Sequence, residues 1–299
     1  MAKLEARGIT KYFEHESHRL QALGGVNLKV ESGDFVCLVG PSGCGKSTFL
    51  RIVAGLEKPD GGQILFDGRP VTETGPTRIM VFQEGALFPW LTVRDNVEFG
   101  LKVSGIPREK RAEISERYLD MMQLTKFAGS YTHQLSTGMK QRVAIARALV
   151  MDPDVLLMDE PFAALDAQTR DLLLVETQLI WARTKKTIMF VTHNVAEAAV
   201  LGTKVAVFSN RPSVVKREIP NDFPRPRVPD DKELIDFQHE ILQELRPEVR
   251  KGGGAGAAAA PAAAEEAPGE GASGANKDDT DAEGTVAVEE EKRREGGTR

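Results

Sequence analysis

The chain has 299 residues, 41% of them hydrophobic, which is enough for a sizeable core in one large or two small domains. It contains no run of about 18 apolar residues, so no membrane-spanning helix is expected, and its N-terminus lacks the apolar segment of a signal peptide. The formal net charge is -5, and residues 252–299, with eleven acidic and five basic residues, contribute -6. The rest of the chain, near +1, lacks the basic excess that is typical of nucleic-acid-binding proteins.

The N-terminal part predicts a β-rich start followed by a strand, a loop and a helix. Residues 4–9 and 26–30 alternate apolar and polar side chains, which predicts an antiparallel layer at one edge of the fold. Residues 34–39 form an apolar run typical of a buried strand, and residues 47–56 have the pattern of a helix. The two cysteines, Cys37 and Cys44, fall in this stretch, and we expect reduced thiols rather than a disulfide.

Strands and helices alternate over much of the remaining chain. Residues 91–149 have mostly helical periodicity, which predicts a helical subdomain inserted on the sheet core. Predicted buried strands alternate with helical patterns further along, the strands at 154–158, 187–192 and 204–209 and the helices at 167–184 and 194–201. Because this alternation is typical of helices on both faces of a parallel sheet, we predict an α/β fold with a mostly parallel sheet.

The C-terminal end divides into two predicted segments that follow a main domain of residues 1–228. Residues 229–251 predict one amphipathic helix, whose apolar residues are Leu234, Ile235, Phe237, Ile241, Leu242 and Leu245. Residues 252–299 are rich in Ala, Gly, Glu, Pro and Asp and contain no aromatic residue, so they cannot bury enough apolar area to offset the entropy of ordering. We interpret them as a disordered spacer or solubilising tail, with a partner-binding segment as the alternative.

A glycine-rich loop between the strand at 34–39 and the following helix predicts a phosphate site. Its residues are Gly40, Pro41, Ser42, Gly43, Cys44, Gly45, Lys46, Ser47 and Thr48. In this P-loop pattern the glycines let backbone N–H groups converge on anionic oxygens, and the next helix points its positive end at them. Lys46 can reach the β- and γ-phosphates, and the Ser47 hydroxyl can bind Mg²⁺. The loop alone does not separate GTPases, kinases and ATP-binding cassette ATPases.

Two adjacent carboxylates follow the apolar residues 155–158. Because that strand ends beside the predicted phosphate loop, Asp159 can hold the metal ion directly or through water. Glu160 comes next and is a candidate catalytic group. The structural alternative for such a pair is a helix cap or a solvated turn.

Three further segments occur in a fixed order around these motifs. Gln83 follows residues 78–82, His193 follows the strand at 187–192, and Leu-Ser-Thr-Gly-Met-Lys-Gln-Arg occupies 135–142. His193 ends a predicted parallel strand, where active sites of open α/β sheets gather. A lone His or Gln is more often structural, so the functional interpretation of His193 and Gln83 depends on the other motifs.

The five motifs together resemble the ATPase subunit of an ATP-binding cassette (ABC) transporter over roughly residues 3–227. The resemblance implies that Glu160 polarises the attacking water, that His193 contacts the γ-phosphate and that Gln83 senses the γ-phosphate and Mg²⁺. It also implies that Ser136, Thr137 and Gly138 cap ATP held by a second subunit, and that residues 163–166, including Asp166, form the D-loop. Thr137 departs from the family, where glycine is usual, and its branched side chain would crowd the approach of the nucleotide.

The adenine ring is expected to stack on an aromatic residue near the N-terminus. By its spacing from the other motifs we favour Phe13 over the neighbouring Tyr12. A core or hairpin role is the alternative for both.

Two segments resemble the nitrate, sulfonate and taurine branch of bacterial importers: Leu-Phe-Pro-Trp-Leu-Thr-Val at 87–93 and Asp-Phe-Pro-Arg-Pro-Arg at 222–227. The resemblance implies a head-to-tail homodimer with ATP and Mg²⁺ between the subunits, bound peripherally at the cytoplasmic face of the membrane. Permease subunits and, through them, a substrate-binding protein are the expected partners, and no nucleic acid is expected. Residues 87–91 would dock on the permease, with ordinary packing as the alternative. The rival readings are an ABC ATPase without a membrane partner and a P-loop GTPase or kinase.

Overall fold

The computed structural model describes residues 2–15, 18–83 and 86–253. Within these ranges the strands are β1 (Ala2–His15), β2 (His18–Glu31), β3 (Phe35–Val39), β4 (Gly61–Phe66), β5 (Arg69–Pro70), β6 (Arg78–Val81), β7 (Val155–Asp159), β8 (Thr187–Val191), β9 (Lys204–Phe208) and β10 (Val215–Pro220). The helices are α1 (Lys46–Ala54), α2 (Val93–Val103), α3 (Arg108–Met121), α4 (Thr137–Leu149), α5 (Ala167–Thr184), α6 (Val195–Leu201) and α7 (Lys232–Gly253), with short 3-10 helices at Thr125–Phe127 and Thr132–Gln134.

The larger sheet has six strands in the order β10-β9-β3-β8-β7-β6. The five strands from β9 to β6 run parallel, and β10 pairs antiparallel with β9. This topology confirms the predicted α/β class. Since β3 and β7 are adjacent to β8 but far apart in sequence, the loops that follow all three strands meet at one edge of the sheet.

The smaller sheet is antiparallel, with the order β2-β1-β4-β5. The predicted antiparallel layer is therefore confirmed, but β1 and β2 are 14 residues each and extend well beyond residues 4–9 and 26–30. The hairpin continues through polar residues because backbone pairing, from Ala2↔Glu31 to His15↔His18, does not require apolar side chains.

The sequence analysis did not identify the strands β4, β5, β6 and β10. These four strands are short or lie at sheet edges: β4, β5 and β10 expose much of their surface, and β6 pairs on one side with β7. A charged edge strand such as Val-Lys-Arg-Glu-Ile-Pro in β10 carries little hydrophobic signal, because one side faces solvent.

Strand β3 separates two hydrophobic clusters. Phe35, Cys37 and Val39 face a cluster that includes buried residues of helices α2 to α7. Val36 and Leu38 face the other cluster, which includes residues of α1 and of the antiparallel sheet. The strand is buried on both faces, as expected for the centre of a parallel sheet.

Helix α7 confirms the predicted C-terminal helix but not its whole apolar face. Leu234, Phe237, Ile241 and Leu245 are buried, whereas Ile235 and Leu242 are exposed, because the buried stripe is narrower than the sequence pattern implied. The helix continues to Gly253, so residues 252 and 253 are helical, and the rest of the predicted tail lies outside the described residues. Among the described helices, none is both long and apolar enough to cross a membrane.

Candidate functional site

The glycine-rich loop connects β3 to α1 and is arranged around the Lys46 ammonium. Lys46 is only 5% exposed, and its Nζ donates hydrogen bonds to the carbonyls of Gly40, at 2.8 Å, and Pro41, at 2.9 Å. Gly43 and Gly45 have φ angles of 71° and 113°, in the region that favours glycine. The loop therefore places a buried cation beside the N-terminal N–H groups of α1, which is a suitable arrangement for phosphate oxygens.

A hydroxyl and a carboxylate meet next to this loop. Asp159 is the last residue of β7, and its Oδ1 accepts a 2.7 Å hydrogen bond from Ser47 Oγ in the first turn of α1. Burial raises the pKa of the Asp159 carboxyl, against the opposing effects of the Ser47 hydrogen bond and of the positive charges of Arg51 and Lys46. Two hard oxygen donors beside a phosphate loop fit the preference of Mg²⁺ for carboxylate and hydroxyl ligands.

Glu160 and His193 form a hydrogen-bonded pair at the same edge. Glu160 Oε2 lies 2.8 Å from His193 Nδ1, and the Glu160 N–H donates to the Val191 carbonyl at 3.0 Å. Glu160 has a φ of 46°, an uncommon backbone conformation for a residue with a side chain. Such conformations cluster at functional sites, and here the turn aims the carboxylate at the loop that follows β8.

Gln83 follows β6, the neighbour of β7 in the sheet. It lies two residues beyond Val81, which pairs with Met158, so it lies at the same sheet edge as Asp159. Its side chain is exposed. Parallel pairing thus brings four of the predicted motifs, those of the phosphate loop, Asp159–Glu160, His193 and Gln83, to the carboxyl ends of adjacent strands.

Residues 136–138 begin α4. Ser136 is the N-cap and accepts a hydrogen bond from Met139 N–H at 3.3 Å, and Thr137 is exposed. Gly138 lies close to the start of α5, because a Cβ at this position would be 2.6 Å from Thr169 Cγ2. The helix start therefore presents open N–H groups, and Gly138 is required for its packing against α5.

Asp166 is the N-cap of α5 and accepts a 3.0 Å hydrogen bond from Thr169 N–H. This bond lowers the pKa of the Asp166 carboxyl. Thr169 thus touches both predicted ATP-contacting segments, 136–138 and 163–166. Among the contacts of the described residues, none joins these segments to the phosphate loop of the same chain.

Phe13 lies near the end of β1 and is 39% exposed. The Lys11 ammonium is 5.5 Å from its ring centroid. Tyr12 is half-buried, with the Arg19 guanidinium 4.2 Å from its ring centroid. The Phe13 ring is accessible to a planar ligand, which is compatible with the predicted adenine contact. That contact stays a prediction.

Sequence reasoning missed two contributors to the loop's surroundings. Arg211, which follows β9, donates a hydrogen bond to the Gly43 carbonyl. Helix α7 forms one wall of a cavity of about 420 Å³, in which Leu242 and Arg246 lie opposite Pro41 and His193. Neither has a motif, since a basic residue after a strand and a helical leucine are common in all proteins.

A separate apolar surface lies on the helical subdomain. The Phe88 ring contacts the rings of Trp90 and Phe99, with centroid distances of 5.6 Å and 4.4 Å. Trp90 is 69% exposed, and Trp90, Leu91, Phe99 and Val103 line a cavity of about 420 Å³. Residues 84 and 85, which precede the predicted docking residues 87–91, lie outside the described residues.

Comparison with known proteins gives consistent results. The family model described as ABC transporter matches residues 23–163. An uncharacterised ABC transporter ATP-binding protein of Methanocaldococcus jannaschii is 47% identical over 249 residues, covering 83% of this chain and 93% of that protein. A nitrate import ATP-binding protein of a Synechocystis strain is 44% identical, with coverage of 81% and 95%. An aliphatic sulfonates import ATP-binding protein of Bacillus cereus is 40% identical, with coverage of 80% and 94%.

Among the solved structures that are similar to this chain is the dimeric post-hydrolysis state of an ATP-binding cassette bound to ADP and phosphate. It is 32% identical to this chain, with a TM-score of 0.65, and the match covers 74% of this chain and all of that one.

Proposed function

Because the chain belongs to the family of ABC transporter ATP-binding subunits, which are ATPases, we propose that two copies bind two ATP molecules between them, head to tail. In this arrangement the phosphate loop of one copy and residues 136–138 of the other enclose each ATP. The observation that carries the proposal is the convergence of Lys46, the Ser47–Asp159 pair and the Glu160–His193 pair at one sheet edge. The dimeric cassette with ADP and phosphate supports it.

The residues of the phosphate loop bind and orient the triphosphate. Backbone N–H groups of residues 42–48 and the Lys46 ammonium hold the β- and γ-phosphates, and Phe13 stacks on the adenine. Mg²⁺, when bound, neutralises phosphate charge during transfer, and Ser47, Asp159 and Gln83 would hold it.

Glu160 and His193 act on the attacking water and the γ-phosphate. The Glu160 carboxylate accepts a proton from the water and orients it, and the hydrogen bond to His193 Nδ1 holds the carboxylate in place. The other ring nitrogen of His193 contacts the γ-phosphate. Since residues 136–138 and Asp166 of the second copy complete the enclosure, hydrolysis needs the dimer.

We further propose that the dimer drives a bacterial importer of a small anion such as nitrate, a sulfonate, taurine or a related solute. The nitrate and aliphatic sulfonates import relatives support this branch. Permease subunits would bind the dimer at the cytoplasmic face of the membrane, and a substrate-binding protein would deliver the solute to them.

The apolar surface formed by Leu87, Phe88, Trp90, Leu91 and Phe99 is the proposed docking site for a short helix of the permease. Leu87, Phe88, Trp90 and Leu91 of this surface lie four to eight residues after Gln83, so the residue that senses the γ-phosphate and most of the residues that contact the permease belong to one segment. Loss of phosphate at Gln83 can thereby move the bound helix.

The chemistry is tested with two variants of the purified subunit. Lys46→Ala should abolish Mg²⁺-dependent ATP hydrolysis, because it removes the buried cation of the loop. Glu160→Gln should bind ATP, stop turnover and elute as a dimer in size-exclusion chromatography with ATP. Glu116→Gln, at an exposed ion pair with Arg94, is the matched control and should behave as wild type. A Glu160→Gln protein that stays monomeric with ATP would contradict the enclosed dimer.

The docking surface is tested with Trp90→Ala. Removal of an aromatic anchor typically costs about 2 kcal/mol of binding, so permease association should weaken roughly thirtyfold. The basal ATPase activity of the isolated subunit should stay within about threefold of wild type, because the Trp90 ring is 69% exposed and substitutions at exposed positions usually have small effects. Leu172→Ala, at another exposed apolar residue, serves as control. Normal transport by the Trp90→Ala protein, or failure of that protein to fold, would contradict docking at this surface.

A further inference from the structure

A buried carboxylate lies behind the Glu160–His193 pair. Glu197, in α6, is 3% exposed, and each of its oxygens faces a different partner. Oε2 accepts a 2.6 Å hydrogen bond from Thr192 Oγ1, and Oε1 lies 3.5 Å from Arg170 Nε in α5. Burying a carboxylate is costly unless it is paired, and these two partners lower that cost for Glu197.

The hydroxyl side of this cluster holds the backbone around His193. Thr192 Oγ1 donates to Glu197 and at the same time accepts a 2.9 Å hydrogen bond from Asn194 N–H. The residues before and after His193 are thereby joined through one hydroxyl. The Thr192 N–H also donates to the Leu38 carbonyl of the central strand, at 3.1 Å. The hydroxyl that the Glu197 carboxylate orients therefore holds the backbone on both sides of His193.

The guanidinium side reaches the segment at 163–166. Arg170 Nη2 donates to the Leu165 carbonyl at 2.7 Å, and Leu165 immediately precedes Asp166, the N-cap of α5. One ion pair thus connects the residue before His193 to the residue before Asp166. These two residues belong to different loops, and no motif in the sequence relates them.

We propose that Glu197 and Arg170 form a positioning bridge between residues 163–166 and His193. Through this bridge, the position of residues 163–166 determines how His193 is placed relative to Glu160. The proposal rests on the proposed role of His193 in ATP hydrolysis. In the head-to-tail dimer residues 163–166 belong to the enclosure of ATP, so the bridge makes the geometry of the water-activating pair depend on dimer closure. Neither bridge residue touches the nucleotide, and both act through His193.

The test measures kcat and KM for ATP with the full-length subunit. Glu197→Gln keeps an acceptor for the Thr192 hydroxyl and removes the charge that faces Arg170, and Arg170→Gln removes the other charge. Misplacement of a catalytic group by a fraction of an ångström lowers turnover more than binding, so each variant should lose about tenfold in kcat with KM within about twofold. Because each substitution alone already breaks the bridge, the kcat of the double variant should be about equal to that of the slower single variant.

Glu98→Gln is a closely matched control. Glu98 Oε1 accepts a 2.8 Å hydrogen bond from Ser115 Oγ, and its Oε2 lies 3.5 Å from Arg111 Nε. The same chemistry therefore occurs between α2 and α3, on the helical subdomain. This substitution should shift the melting temperature about as much as Glu197→Gln does, with kcat unchanged. If Glu197→Gln fails to fold, the more exposed Arg170→Gln carries the test.

Three outcomes would overturn the bridge: wild-type kcat in both single variants, losses that multiply in the double variant, or an equal loss of kcat in the Glu98→Gln control. His193→Ala separates this inference from the proposed chemistry. If His193→Ala abolishes hydrolysis while Arg170→Gln and Glu197→Gln are normal, only the bridge is wrong. If His193→Ala hydrolyses ATP normally, both the role of His193 and the bridge are wrong.

Discussion

Asn96 is a fully buried amide that holds the loop carrying Trp90. Its exposed fraction is 0%, and its Oδ1 accepts a 2.9 Å hydrogen bond from Phe88 N–H. Its Nδ2 donates to the carbonyls of Phe88, Leu91 and Thr92, at 3.1, 3.2 and 3.0 Å. The two amide protons are thus shared among three carbonyls. One side chain therefore provides hydrogen-bond partners for four backbone groups of residues 88–92.

Substitution of Asn96 should therefore destabilise the protein in a pH-dependent way. Asn96→Ala removes about three effective hydrogen bonds at roughly 0.5–1.5 kcal/mol each, so the free energy of unfolding should fall by about 2–4 kcal/mol. Asn96→Asp keeps the acceptor but directs a carboxylate at three carbonyls, which should cost more than Ala at pH 8. Burial raises the folded-state pKa of the new carboxyl above its unfolded value of about 3.9. The extra cost is thus present above the folded pKa and diminishes as the pH falls through it.

Urea unfolding followed by tryptophan fluorescence, at pH 8 and pH 5, measures these differences. The unfolding free energy of Asn96→Asp should approach that of Asn96→Ala at the lower pH. Asn27→Asp is the control, since Asn27 makes similar backbone contacts, to Gly8 N–H and the Gly25 carbonyl, at an exposed position of β2. A wild-type unfolding free energy for Asn96→Asp at pH 8, or an equal loss in Asn27→Asp, would refute the reasoning.

Two further predictions concern packing and thiol reactivity. Gly138→Ala places a Cβ 2.6 Å from Thr169 Cγ2, so it should lower the melting temperature and weaken ATP-dependent dimerisation; Thr169→Ser, which removes that methyl, should restore both, and a double variant without recovery would disprove the clash. Burial raises the pKa of Cys37 and of Cys44, so at pH 8 both thiols stay protonated and should react slowly with iodoacetamide in the native protein and fast in urea. Equal rates in the two conditions would contradict this.

The sheet and the phosphate side of the site could be predicted because parallel topology converts sequence order into position. Apolar runs identify buried strands, and the polar residue after each run lies at the common edge. Asp159 and Gln83 are placed in this way without any knowledge of side-chain contacts. The strands β4 and β10 could not be predicted, because much of each is exposed to solvent and their apolar residues are too few to show a period.

The contacts around the Glu160–His193 pair could not be predicted from the sequence. A glutamate on a helix, as at Glu197, or an arginine in the first turn of another, as at Arg170, is most often solvated. Burial and pairing of these two side chains depend on how α5 and α6 pack against the sheet, which is a tertiary property. The exposure of Leu242 beside the phosphate loop is of the same kind, since periodicity alone assigned it to the buried face of α7.

The register of β7 and β8 brings Glu160 and His193 together at adjacent strand ends. Asp159 pairs with Val191, so each strand ends at the same level, and Glu160 and His193 belong to the turns that follow. Glu160 meets His193 only through a backbone with a φ of 46°, a conformation that a residue with a side chain adopts at a cost of order 1–3 kcal/mol. The Glu160 N–H is bonded to the Val191 carbonyl, and in the proposed bridge the Thr192–Glu197 contact holds the backbone beside His193. According to this proposal, the strained turn and the buried carboxylate together keep Glu160, the proposed water-activating group, in place.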